Sequence, residues 1–149
     1  TLRNKGQRRP KITYHENKEN IWKIYESINL ASETFFMSSY ERIEKHFPGA
    51  TQKWIDDYLK RRIHIKGKHL VPNSPFELDA IKKISITGQE VRYLPEIKSF
   101  DMDFSLYDNK LALTSLEEEP FIVLIESESL VNSIRPIFEI AWEKGKEIK

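Results

Sequence analysis

Four side chains could bind a metal or carry a proton near neutral pH: His15, His46, His64 and His69. A zinc or proton-transfer site needs such imidazoles grouped with carboxylates or thiols. None of the four lies in an H-E-x-x-H, and His64 and His69 have no acidic or cysteine companion beside them, so they read as surface histidines and no metal is expected. The run Glu117-Glu118-Glu119 could offer oxygens to a hard cation, but adjacent like charges more simply screen a loop beside strand edges. There is no cysteine, hence no thiol chemistry and no disulfide. No G-x-G-x-x-G or P-loop occurs, and five glycines leave little material for a phosphate cradle, so no cofactor is expected.

The densest positive stretch is Lys60, Arg61, Arg62, His64, Lys66, Lys68 and His69. Such a cluster could meet DNA phosphates or an anionic effector. Cations at a helix C-terminus also favour the helix dipole, and no aromatic residues interleave as a single-strand platform would require, so a solvated helix end is the simpler reading. The net charge of +1 implies no whole-molecule attraction to nucleic acid or anionic lipid.

These residues must be held by one compact domain, because 149 residues leave no comfortable room for two. Eight Phe and three Trp argue for a real core and against disorder. The apolar run Pro120 to Ile125 is far short of the roughly 20 residues that span a bilayer, so no membrane partner is expected, and no signal peptide is visible. The chain begins with Thr1, so part of a longer protein is expected before it.

Apolar periodicity predicts the elements. Lys11 to His15 alternates as a short strand, and Ile21, Ile24, Tyr25 and Ile28 define a helix from about Asn17 to Ala31. Glu33 to Ser38 is a buried strand; a helix follows around Ser39 to Phe47 and breaks at Pro48-Gly49. Thr51 is expected to cap a helix carrying Trp54, Ile55, Tyr58 and Leu59. Lys68 to Val71 is a strand, and Ser74-Pro75 opens a helix whose core face is Leu78, Ile81 and Ile84, closed at Gly88. Strands follow at Glu90 to Leu94, Asp103 to Tyr107, Leu111 to Thr114 and Phe121 to Ile125, with Asp108-Asn109 as a hairpin turn. A last helix, about Ser129 to Lys144, has the stripe Leu130, Ile134, Ile137, Phe138, Ala141 and Trp142, with a kink or late start expected at Pro136. The order β-α-β-α-α-β-α-β-β-β-β-α predicts a single α/β domain with a mixed sheet flanked by helices.

The last third reads VRYLP (Val91 to Pro95), FDMDFSLYDNKLALTS (Phe100 to Ser115), FIVLIESESL (Phe121 to Leu130) and IFEIAWEKGK (Ile137 to Lys146). With ITYHENKENIWKIYESI, FFMSS and YLKRRI before it, this series resembles the C-terminal half of TrmB-like transcriptional regulators. In that family an N-terminal winged helix-turn-helix reads DNA, and the domain resembled here, phospholipase-D-like in fold, binds an effector and helps dimerise. The resemblance implies a basic linker over residues 1–10 and a sensor and dimerisation domain over 11–149. It also implies a cytoplasmic homodimer, a sugar or other metabolite as effector, and DNA contact only through the missing winged helix.

Phospholipase D chemistry needs H-x-K-x4-D: the His attacks phosphorus and the Lys holds the phosphoryl oxygens. With the Asp of that pattern at Asp108, the His position is Asp101 and the Lys position is Asp103, two carboxylates that would repel a phosphodiester. His64-Ile65-Lys66 is an H-x-K, but the Asp position after it holds Val71. The expectation is therefore a domain that is not an enzyme. Ligands of open α/β sheets bind beyond the strand carboxyl ends, which selects Ser38, Ser39, Tyr40 and Asn73, joined by Asp101 and Asp103; hydroxyls and carboxylates beside aromatic walls suit a polyhydroxylated or cationic molecule. Arg92 is placed to pair with one of those carboxylates. Two alternatives stand beside this: a phosphodiesterase or nuclease of the phospholipase D class, and an interaction domain without a small ligand, using Phe138 and Trp142 as a dimer face.

Overall fold

The computed structural model of the chain describes residues 9–60 and 66–148. In chain order the elements are β1 (Lys11–Glu16), α1 (Lys18–Ile28), β2 (Glu33–Met37), α2 (Tyr40–His46), α3 (Ala50–Leu59), β3 (Lys66–Pro72), α4 (Pro75–Ser85), β4 (Glu90–Leu94), β5 (Met102–Tyr107), β6 (Lys110–Ser115), β7 (Phe121–Glu126) and α5 (Glu128–Lys144). The order matches the one read from periodicity.

The strands form one seven-stranded sheet in the order β1-β7-β6-β5-β2-β3-β4. Pairings β2–β3 and β3–β4 are parallel, because helices cross over between them; the rest are antiparallel. The β5–β6 hairpin turns on Asp108, held at φ 51, with Tyr107 opposite Lys110. The chain is thus a single mixed α/β domain.

Strand alternation divides the side chains between two faces. On one face Val71, Val91, Tyr107, Ala112 and Ile122 pack beneath α1 to α4. On the other, Phe35, Leu106 and Leu111 meet Val131 and Phe138 of α5, while Leu70, Leu94 and Phe100 meet Trp142. Each such large apolar side chain contributes about 1.5–3 kcal/mol when fully buried.

Several local expectations change. Thr51 lies inside α3 rather than capping it. The cap is Gly49, whose φ of 87° suits glycine, and the Glu44 carboxylate accepts the N–H groups of Gly49 (3.0 Å) and Thr51 (2.8 Å). The strand after α3 starts at Lys66 and includes Gly67, where a Cβ would lie 2.8 Å from Gln89 Oε1. Helix α5 runs without interruption past Pro136, so no late start occurs, and Ile137 is 61% exposed rather than part of the buried stripe.

Candidate functional site

The sheet face beneath α1 to α4 carries a buried polar network. Glu77 is its anchor. It sits in the first turn of α4 on the same face as Ala80, Ile81 and Ile84, and that helical register drives a carboxylate into the core. Its Oε1 accepts from the Ser39 hydroxyl (2.7 Å) and the Glu41 N–H (3.1 Å), and its Oε2 accepts from the Tyr40 N–H (2.9 Å). Glu77 therefore ties the start of α2 to α4. Burial raises its pKa while these donors pull it down.

Asp103 projects from β5 into the same network. The Ser39 N–H donates to its Oδ1 at 3.1 Å, and its Oδ2 is buried with no hydrogen-bond partner. Burial pushes the Asp103 carboxyl up to about 8, against the Ser39 amide; Glu77 adds to the rise and Arg42 opposes it. The Tyr40 hydroxyl hydrogen-bonds His69 Nδ1 at 2.6 Å. Burial holds His69 down at about 4, with the Gln89 side chain pulling the other way, so the ring is neutral at pH 7. Tyr40 is raised well above the usual phenol range by burial and keeps its proton.

Above this network, between the helices and the sheet, lies a cavity of about 40 Å³. Ser38, Tyr40 and His69 supply its polar wall next to the network; Tyr25, Phe36, Trp54 and Tyr58 supply aromatic walls. Trp22 and Trp54 stack at 5.6 Å behind them, and Tyr25 and Trp54 lie 5.7 Å apart. At a water's needs of roughly 10–15 Å³, the space has room for about three waters.

The six expected ligand residues are only partly brought together. Ser38 and Tyr40 line the cavity, and Ser39 and Asp103 stand in the adjoining network. Asp101 lies outside it with an 88% exposed side chain, paired at 3.4 Å with Arg42, which also reaches Glu117 at 3.5 Å. Asn73 anchors a turn: its Nδ2 donates to the Pro95 carbonyl (3.1 Å) and its N–H to that of Ile97 (2.7 Å). The cavity also lies between helices and sheet, not beyond the strand ends. Glu77 and His69 were missed as members. The signal for Glu77 was available as a lone carboxylate on an apolar helical stripe; for His69, the strand alternation that buries it beside Val71.

Other expectations are corrected. Arg92 pairs with neither aspartate; it lies on the α5 face, donating to the Trp142 carbonyl at 2.9 Å with its guanidinium 4.4 Å from that indole. Phe138 and Trp142 are buried within the chain, so neither offers a dimer face. His69 is buried, not a surface histidine, and Lys68 on the opposite face pairs with Glu139, so the two do not share a basic patch. Arg61, Arg62, His64 and the H-x-K at His64 lie outside the described residues, as do residues 1–8 of the expected linker. Among the described residues no group of three or more His, Asp or Glu is placed to hold a metal, and no helix is long and apolar enough to cross a membrane.

No known family model matches the chain, and no curated protein matches it. Solved structures do. Nuc, a phospholipase D family member from Salmonella typhimurium, aligns over 95% of this chain and 99% of its own with a TM-score of 0.68 and 13% identity. The chain has the phospholipase D fold. NucT from Helicobacter pylori aligns over 94% of this chain and 100% of its own, with a TM-score of 0.58 and 9% identity. TrmBL2, an archaeal chromatin protein, aligns over 92% of this chain with a TM-score of 0.62 and 17% identity; the chain spans 54% of its length. At these identities the likeness is one of fold, and the phospholipase-D-like architecture, shared with TrmBL2, stands as expected.

The comparison corrects the expectation that the chain is not an enzyme. Nuc, which shares the fold, is itself a phospholipase D family member, so the fold gives no ground for excluding an enzyme.

Proposed function

We propose that the chain is the effector-binding domain of a TrmB-type transcriptional regulator, with the cavity beneath α1 and α3 as its effector site. The carrying observation is the wall itself: Ser38, Tyr40 and His69 place hydrogen-bonding groups along a space bounded mostly by aromatic rings and isoleucines, with Asn29 and Thr51 adding polar groups from the helices. A few convergent polar groups in an apolar hollow fix a ligand's orientation while burial supplies affinity. At about 40 Å³ the hollow takes a small group at once, and a whole sugar only if α3 shifts. Sequence-specific DNA contact would belong to a domain outside this chain, as the winged helix is in the family resembled. TrmBL2, reported to bind DNA in a novel mode, extends well beyond the stretch that this chain covers.

Thermal-shift titration with sugars and small cyclic alcohols and phenols tests this. A ligand at 100 times its Kd should stabilise the protein by about 2.7 kcal/mol, and Ser38→Ala or Tyr40→Phe should weaken that ligand. If no compound shifts the Tm, the cavity is only packing space. The likeness to Nuc favours a second reading, phosphodiester hydrolysis, which turnover of bis(4-nitrophenyl) phosphate by purified protein would establish.

A further inference from the structure

We infer that β1 is a homodimerisation strand, pairing antiparallel with β1 of a second copy across a two-fold axis at Thr13. The inference stands apart from the effector reading and rests on a different part of the molecule.

The two edges of the sheet are treated differently by the chain. At the β4 edge the segment after α5 folds back, and Tyr93 and Lys146 exchange two backbone hydrogen bonds of 2.9 Å. At the β1 edge no described residue bonds the outer side. Natural edges are usually blunted by bulges, inward charges or internal proline. Between Ile12 and His15 there is none of these: β1 pairs with β7 in unbroken register from Lys11 to Glu16. The same strand exposes Ile12 (64%) and Tyr14 (57%) on the α5 face, next to half-buried Phe121, Val123 and Ile125 of β7. Helix α5 packs over β2, β5 and β6 and over β3 and β4, and its apolar contacts leave this strip uncovered.

The strip fits a copy of itself. A two-fold axis perpendicular to the sheet sets residues of like parity opposite each other, because directly opposed side chains share a face. Centred on Thr13, it places Ile12 opposite Tyr14 of the second copy, and Tyr14 opposite Ile12, giving four apolar side chains continuous with both β7 strands. It brings Glu16 opposite Pro10 and Lys11 opposite His15 of the second copy, so no two carboxylates and no two lysines face each other. Pro10, lacking an N–H, ends the ladder there. The neighbouring even registers lose this: centring on Ile12 or Tyr14 sets Lys11 opposite Thr13, or Ile12 opposite Glu16.

The chain has no cysteine, so one introduced thiol reports the register. In Thr13→Cys the two Cα atoms would face each other at about 4.5–5.5 Å, within disulfide reach. His15→Cys on the same face places its two thiols too far apart. We expect wild type to sediment as a concentration-dependent dimer, Thr13→Cys to form a covalent dimer under mild oxidation, and His15→Cys to form none. Tyr14→Lys, at an exposed position, should raise the dimer Kd at least about tenfold with an unchanged circular dichroism spectrum. A wild-type chain that stays monomeric at 100 µM, about the upper range of transient association, overturns the inference and leaves the strip to another partner. A dimer in which Thr13→Cys crosslinks no faster than His15→Cys, or which Tyr14→Lys leaves intact, overturns it equally.

Discussion

The two faces of the sheet are built on opposite principles. The face under α5 is apolar: Phe35, Leu106, Leu70 and Leu94 meet Val131, Phe138 and Trp142, and the cations there lie against rings, Arg92 at 4.4 Å and Lys68 at 5.7 Å from the Trp142 indole. The face under α1 to α4 buries two carboxylates, a histidine and a hydroxyl network beside a cavity. An apolar face is vulnerable chiefly to changes of volume, whereas a polar one is exposed to pH and to the loss of a single partner. Ordinary packing needs no buried Asp103, so the polar face carries a cost in stability that a site would justify.

The largest expected effect belongs to the apolar face. Trp142→Ala removes the side chain that α5 inserts between Leu70, Leu94 and Phe100, and it also removes the ring beneath Arg92 and Lys68. A loss of about 3–5 kcal/mol is expected in urea unfolding, the range for truncating a buried aromatic. If the two faces are independent, the pH dependence of stability should survive this change. A variant that lost both would show the faces to be one coupled unit.

A smaller effect, different in kind, is expected on the polar face. Asp103 holds its proton in the folded chain up to about pH 8, whereas an exposed aspartate releases it near 3.8. The stability this group contributes is full below pH 3.8 and is lost as pH rises through 8. His69 behaves in the opposite sense: at about 4 when folded against 6.5 unfolded, it contributes stability above pH 6.5 that is lost as pH falls through 4. Between pH 4 and 6.5 the two slopes oppose each other. Between 6.5 and 8 His69 no longer opposes Asp103, and Asp103 should lower stability with rising pH by at most about 1.4 kcal/mol per unit. Asp103→Asn, which keeps the shape of the protonated acid, should flatten that decline and leave a simple rise from pH 4 to 6.5. Equal slopes for both proteins between pH 6.5 and 8 would place the titration elsewhere.

The architecture was legible in the sequence because it depends on periodicity. All twelve elements follow from the spacing of apolar residues, and Ser39 and Ser127 cap their helices as short polar residues do. The site was legible only in part, because it depends on which polar residues the packing drives inward. Ser38 and Tyr40 came from their place at a strand end. Glu77 was hidden in a helix whose stripe was read from Leu78, although Leu78 is only half-buried and Glu77 takes the inner position. Asp101 and Asp103 looked equivalent, two residues apart on one motif. Burial separates them: Asp101 precedes β5 and turns to solvent, while Asp103 lies within it under α2.

That separation also sets the smallest expected effect. Arg42 bridges the two regions, pairing with exposed Asp101 and Glu117 at 3.4 and 3.5 Å while its charge opposes the rise of the Asp103 pKa. Exposed pairs of this length contribute about 0–1 kcal/mol and are screened by salt, so Arg42→Ala should cost less than about 1 kcal/mol at pH 7 and less again at 0.5 M salt. Its influence on Asp103 crosses a drier medium and should persist. Removing the cation should raise the Asp103 pKa further and move the decline in stability to higher pH. A loss of stability without that displacement would confine Arg42 to the rim; the displacement without a loss would show the exposed pairs to be idle and the buried carboxylate to be what Arg42 serves.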